Sequence, residues 1–305
     1  MNDRGLPLQI SVFNILLSRE VRSGKPRNAL AMYSALKGMD FMFPDAFTFG
    51  SLFTLYRGIR PRIMRKLVPT PESTHLIPLR QLYSEFIDAT QRTHFPVEMT
   101  TSLLSVALRA FLRQRDYAGA FVILGTFSYY RLPLDHHTYY VIMKHLVGRI
   151  WIETTIKRLL SPQPEVKWSD RFLGVDNFKD VKLGEDLVHH IFFLISRKQF
   201  ELDAPLHPLK DVLPSKYDDR GKYRVPTMEM MQSVDTPDPQ DFKYHVVPLK
   251  RLLRRAILAN LSEDGDFAEG KKGVSAAVAE AKKEMIPDYQ TWEHYVFSSS
   301  YNAKD

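Results

Sequence analysis

Residues Thr101 to Asp135 read TSLLSVALRAFLRQRDYAGAFVILGTFSYYRLPLD, and the spacing of their apolar side chains decides the fold. Leu104, Leu108, Phe111 and Leu112 recur at helical spacing and share one face; Tyr117, Ala120, Phe121 and Leu124 do the same for a second helix. Pro133-Leu134-Asp135 closes the pair with a turn. The next residues, HHTYYVIMKHL, reopen the same pattern, and Ile10 to Asp45 (ISVFNILLSREVRSGKPRNALAMYSALKGMDFMFPD) holds an earlier copy. A hairpin recurring at about 35 residues predicts a helical repeat array.

The copies agree at particular positions. In the first, Phe13-Asn14 stand in the opening helix, Gly24 between the helices, Ala29 and Met32-Tyr33 in the second helix, and Pro44-Asp45 at the close, with one residue inserted just before. Ala120 and Asp135 match in the Thr101 copy without a gap. Ala46-Phe47-Thr48-Phe49 follows Asp45 at once, Thr138-Tyr139-Tyr140 follows Asp135, and Pro287-Asp288-Tyr289 forms a further junction. In these features the chain resembles the pentatricopeptide repeat (PPR) family in its degenerate organellar form. The resemblance covers Leu8 to Leu160 and, more weakly, Val246 to Tyr301. It implies an all-α fold, a right-handed α-solenoid of antiparallel helix hairpins with irregular insertions.

Composition bounds the function. The chain of 305 residues carries 42 Lys and Arg against 35 Asp and Glu, a net charge of +7, which favours a polyanionic partner. The absence of cysteine excludes disulfides, thiolate zinc sites and cysteine catalysis. No apolar run approaches the roughly 18 residues of a membrane span, so no membrane insertion is expected. The opening MNDRGLPLQ lacks the character of a transit peptide, and Gly5-Leu6-Pro7 resembles the tail of a preceding repeat, so a start upstream of Met1 is expected.

Residues 1–160 are expected to form four hairpins, 10–45, 46–100 with an insertion, 101–135 and 136–160. Their helices are predicted at Ile10–Arg22, Pro26–Lys37, Ala46–Tyr56, Leu79–His94, His136–Val147 and Trp151–Leu160, besides the pair in the Thr101 copy. The insertion RGIRPRIMRKLVPTPEST carries Pro61, Pro69 and Pro71. Residues 161–245 read as an irregular connection with one helix near 184–198, and 246–305 as a degenerate helical repeat and a final half repeat. There the stripe Leu249, Leu252, Leu253, Ala256 and Ile257 marks one helix, with others at Gly273–Met285 and Asp288–Ser299.

Stacked hairpins line up their first helices, so one residue per unit is offered to a single extended strand. The resemblance implies that the fifth residue of a unit and its last residue together read one base, with the second residue stacking on it. The base-contact pairs are then Asn14 with Asp45 and Ser105 with Asp135, preferring uracil and guanine by the family's pairing rule. Phe47 and His137 are the stacking residues, while Gly50 and Tyr140 break the rule. Asp45 and Asp135 also stand where ordinary helix N-caps stand, and Phe47 suits the core. Arg57, Arg60, Arg62, Arg65 and Lys66 around the insertion, and Lys250, Arg251, Arg254 and Arg255 on the helix side opposite the leucine stripe, are candidates for phosphate contact.

Catalysis finds little support. Asp203, His207, Asp211, Asp218 and Asp219 lie in a Pro-rich stretch with no element to fix a metal. His136-His137 and His189-His190 are adjacent pairs whose side chains diverge on a helix. Neither a Gly-rich phosphate loop nor a nucleophile elbow occurs. The expectation is a non-catalytic protein without cofactor or metal that binds single-stranded RNA. By family resemblance it is mitochondrial and acts in transcript stability, processing or translation. The alternative is a tetratricopeptide-like scaffold for protein partners.

Overall fold

The computed structural model describes residues 9–39, 41–59, 77–153, 168–173, 246–261 and 270–286, and among them there are ten α-helices and no strand. They are α1 (Ile10–Arg22), α2 (Pro26–Lys37), α3 (Ala46–Gly58), α4 (Leu79–Thr90), α5 (Thr101–Gln114), α6 (Tyr117–Tyr129), α7 (His136–Trp151), α8 (Trp168–Leu173), α9 (Val246–Leu261) and α10 (Gly270–Met285). The chain divides into two compact units, Met1–Leu132 with Ala277–Asp305, and Pro133–Ala276. None of the described helices is long and apolar enough to cross a membrane.

Local signals set the hairpins of the first unit. α1 stops because Gly24 takes a left-handed φ of 65°, which lets its N–H reach Val21 and the Lys25 N–H reach Glu20. Pro26 then starts α2, where a missing N–H costs nothing. At the corresponding place in the Thr101 hairpin, Arg115 adopts φ 61° and the same paired bonds run from Arg115 to Leu112 and from Asp116 to Phe111. The motif needs the left-handed conformation, and a residue with a Cβ accepts its cost there.

α1 packs on α3 and α3 on α5, while α2 and α6 fold back on α1 and α5. A chain of buried rings ties these helices together. Tyr33 of α2 meets Phe49 of α3 at 6.2 Å, Phe49 meets Phe86 of α4 at 5.3 Å, and Phe86 meets Phe53 at 5.8 Å. Tyr83 of α4 continues to Phe111 of α5 at 5.8 Å, and its hydroxyl donates to Thr126 of α6 at 2.8 Å. Such tilted and edge-on pairs add to the burial of the rings themselves. α4 is held laterally by Tyr33 and Lys37, which both bond Glu85 at 2.7 and 2.8 Å. At its other end Arg80 forks onto Asp116 at 2.6 and 2.9 Å and reaches Glu284 of α10 at 3.2 Å.

In the second unit α8 packs on α7 and α9. Trp168 stacks on Phe172 at 4.8 Å, and its indole N–H donates to the Ala256 carbonyl. The Arg149 guanidinium lies 3.8 Å over the Trp168 ring, pairs with Glu153 at 3.3 Å and donates to Asn260 at 2.9 Å. Glu153 also accepts from the Ser169 N–H at 3.0 Å. This buried charge pair is thus hydrogen-bonded on both sides, the condition under which burial of ions is tolerated.

The structure moves several predicted boundaries: α3 runs on to Gly58, past Tyr56, and α10 starts at Gly270, before Gly273. α4 ends at Thr90 and not at His94: the Gln91 N–H bonds the Asp88 carbonyl in a tighter turn, and the Val97 N–H, returning from beyond Pro96, takes the Ala89 carbonyl. α7 runs on past its predicted end at Val147 through Trp151, with Ile152 and Glu153 still in helical geometry, since Leu146, Val147 and Ile150 continue its buried stripe; of the helix predicted at Trp151–Leu160 only these first residues are described. Trp168–Leu173, expected as irregular chain, is helical because Trp168, Phe172 and Leu173 bury together against α9. The predicted helices at 184–198 and 288–299, and residues 154–160, lie outside the described residues.

Two measurements follow from this packing. A Cβ at Gly119 would lie 2.2 Å from the Phe111 ring, whereas one at Gly148 would meet nothing within 4 Å. Chemical denaturation is expected to show Gly119→Ala losing about 1–3 kcal/mol through overpacking, with Gly148→Ala gaining up to about 1 kcal/mol from helix propensity. Burial raises the phenols of Tyr33, Tyr56 and Tyr83 above their ordinary 10.0, with Glu85 adding to the rise at Tyr33 and Tyr56. In the unfolded chain they ionise near pH ~10, so above that pH the folded state holds more protons and its stability falls. An alkaline titration should show these tyrosinates forming together with unfolding and not before it.

Candidate functional site

Asn14 lies in the middle of α1 and Asp45 caps α3, and because α1 packs on α3 the two meet 31 positions apart in the chain. The Asn14 Nδ2 stands 3.0 and 2.9 Å from the two Asp45 carboxylate oxygens. Two oxygens of one carboxylate subtend too narrow an angle for both amide hydrogens, so a single N–H forks between them. Thr48 completes the group. Its backbone N–H donates to Asp45 Oδ1 at 2.8 Å, and its hydroxyl lies 2.7 Å from Asn14 Oδ1 and 2.9 Å from Asp45 Oδ1. The hydroxyl has one proton and serves one of these acceptors at a time. Reading Asp45 as an N-cap and as the partner of Asn14 are therefore both correct, since a carboxylate has acceptor capacity for both.

This network also settles which way the Asn14 amide faces. An ionised carboxylate only accepts, so Nδ2 must face Asp45, and the carbonyl oxygen faces Thr48. One N–H and one lone pair of the amide are left uncommitted within the network. The side chain is 6% exposed, yet it forms part of the wall of a cleft of about 620 Å³ that runs along α1 past Ser11, Ile15, Ser18, Arg19 and Arg22, with Phe47 of α3 on the other side. Phe47 is 70% exposed, which corrects its reading as core: it sits in the first turn of α3, before the buried stripe Phe49, Leu52 and Phe53 begins.

The second candidate pair divides between the units. Ser105 is buried in α5 of the first unit. Asp135 caps α7 of the second unit, accepting from the Thr138 N–H and hydroxyl, both at 2.8 Å. His137 is half-buried and stacks on Tyr140 at 6.3 Å, and the Tyr140 hydroxyl accepts from Lys144 at 3.0 Å. Gly50 lies on α3 with the Leu103 side chain 3.6 Å from where its Cβ would be.

Of the basic candidates, Arg57 is exposed at the end of α3, and Arg60, Arg62, Arg65 and Lys66 lie outside the described residues. Arg251 is exposed and Arg254 half-buried. Lys250 and Arg255 do not stand on a solvated face as expected. Lys250 is 4% exposed, because burial on α9 extends beyond the leucine stripe. Arg255 Nε donates to the Phe172 carbonyl of α8, and desolvation there lowers its pKa.

Sequence reasoning missed Thr48, Arg19 and Arg22. A signal for Thr48 was present: Asp45-x-x-Thr48 and Asp135-x-x-Thr138 have the spacing of a capping box, in which the N3 side chain bonds back to the N-cap. For Arg19 and Arg22 no local pattern separates cations that line a cleft from cations on a solvated helix. Comparison with protein-family models, with curated proteins and with solved structures finds no match to this chain.

Replacing Thr48 by valine keeps its shape and removes the hydroxyl. Thr48→Val is expected to lose about 1–3 kcal/mol of stability, because the Asn14 oxygen is left buried without its donor. Thr138→Val, which deprives only a capping bond, is expected to lose about 1 kcal/mol or less; urea unfolding of the two variants compares them.

Proposed function

We propose that this chain is a right-handed α-solenoid of PPR-like hairpins that binds single-stranded RNA without catalysing a reaction, with its best-formed base site at Asn14, Asp45 and Thr48. The observation that carries the reading is the meeting of Asn14 and Asp45 at 3.0 and 2.9 Å beside the exposed Phe47 ring. An oriented amide with one free N–H and one free lone pair matches a base edge with a donor next to an acceptor, as uracil has at N3–H and its carbonyls. Phe47 provides a ring face for that base, a contact worth about 1–3 kcal/mol. Arg19 and Arg22, exposed one helical turn apart on the same cleft, supply positive charge for the adjoining phosphates. The sequential packing of α1, α3 and α5 supports the solenoid. An organellar, mitochondrial role in transcript stability, processing or translation follows from the family resemblance.

A protein scaffold is the second reading, and one observation favours it. Ser105 is as buried as Asn14, at 6% exposed, but it does not line the α1 cleft that reaches Asn14, so the Thr101 hairpin offers little polar side chain to a base. The two readings separate in a binding titration with uracil-rich and guanine-containing single strands at two salt concentrations. RNA binding predicts that Asn14→Ala abolishes the preference for uracil. Arg22→Ala should weaken all strands alike and reduce the salt slope by about 0.7. Absence of affinity at low salt, with the variants folded by circular dichroism, favours the scaffold.

A further inference from the structure

Phe41, Phe43 and Phe95 of the first unit are 72%, 44% and 77% exposed. Two come from the connection between α2 and α3, one from that between α4 and α5. Phe41-Met42-Phe43-Pro44 alternates exposed and buried residues, so Met42 and Pro44 anchor the segment while Phe41 and Phe43 stay exposed. Phe95 holds a left-handed φ of 55°, an unusual conformation for a bulky side chain. The segment around it is nonetheless fixed. Val97 N–H bonds the Ala89 carbonyl at 2.9 Å, and Arg92 donates to the Pro44 carbonyl, joining the two connections. Phe43 and Phe95 come together with centroids 6.4 Å apart and planes within 22° of parallel, and the Arg92 guanidinium lies 5.5 Å from the Phe43 centroid.

Clustered exposed rings mark a contact surface, whereas single ones need no explanation. A protein anchor usually inserts into a hollow; here the surface offers flat, nearly parallel faces, with Arg92 and His94 on the same connection and Glu98 beyond the buried Val97. Flat ring faces beside cations are the pattern that takes an unpaired base and its phosphate. We infer that Phe43 and Phe95 form a second, sequence-tolerant stacking site for a base of single-stranded RNA, with Arg92 as its cation. This rests on the RNA reading above and adds to it a contact outside the Asn14 cleft. Stacking uses a base's π face and not its edge, so this site contributes affinity without base preference.

The test is equilibrium binding of fluorescent single strands, uracil-rich and guanine-containing, to the full chain and to Phe95→Ala, Phe43→Leu and Asn14→Ala. Phe95→Ala is expected to weaken both strands about tenfold and equally, with Phe43→Leu also weakening both and Asn14→Ala changing only the ratio between them. Phe95 is exposed, so its loss leaves the fold intact, and circular dichroism checks this. If the wild type binds RNA and Asn14→Ala alters its preference while both Phe variants bind as the wild type does, the stacking site is overturned and the RNA reading stands. If the wild type binds neither strand at low salt, the RNA reading fails and the stacking site with it. Retained RNA affinity in Phe95→Ala together with loss of a protein partner would also overturn the inference, by making the rings a protein contact.

Discussion

The Phe111 ring lies so close to Gly119 that no other side chain fits between them, and this contact sets how near α5 and α6 come. Phe111 is also the end of the buried ring chain that starts at Tyr33 and passes through Phe49, Phe86 and Tyr83. Because aromatic pairs favour tilted or edge-on geometry over a range of a few ångströms, the chain constrains both spacing and rotation of four successive helices. α3 and α4 meet through these rings although residues 60–76 separate them in sequence. The rotation of α3 that buries Phe49 and Phe53 leaves Phe47 outside and turns its N-cap toward α1.

On that frame the candidate site is built from a capping interaction put to a second use. Asp45 terminates the connection after α2 by accepting the Thr48 N–H, as an N-cap does. Its remaining acceptor capacity takes the Asn14 amide from the neighbouring helix. A local signal and a long-range contact thus share one carboxylate. The consequence is that the fold itself holds the amide in one orientation.

The cations show how far tertiary packing redistributes charge. Arg149 and Lys250 are buried, and Arg255 is half-buried with its guanidinium on a backbone carbonyl. Arg149 works as a structural group, placed over Trp168 and between Glu153 and Asn260. Net positive charge therefore overstates the surface open to an anion. The cations of the cleft, Arg19 and Arg22, stand out by their position on α1 and not by their density in the sequence.

Helical periodicity, turn residues and caps are properties of short stretches, and the sequence by itself determined what rests on them. The all-α class, α1 and α2 to the residue, the starts of α3, α4 and α7 and the N-caps Asp45 and Asp135 were legible in this way. The meeting of Asn14 with Asp45 was legible only through spacing shared with a known repeat. Other features depend on what lies across from a residue. The exposure of Phe47, the burial of Lys250, the continuation of α7 through Trp151, the helix at Trp168 and the paired rings of Phe43 and Phe95 are set by partners distant in the chain. Burial and side-chain pairing are sums over such neighbours, and only the folded structure decides which neighbours they are.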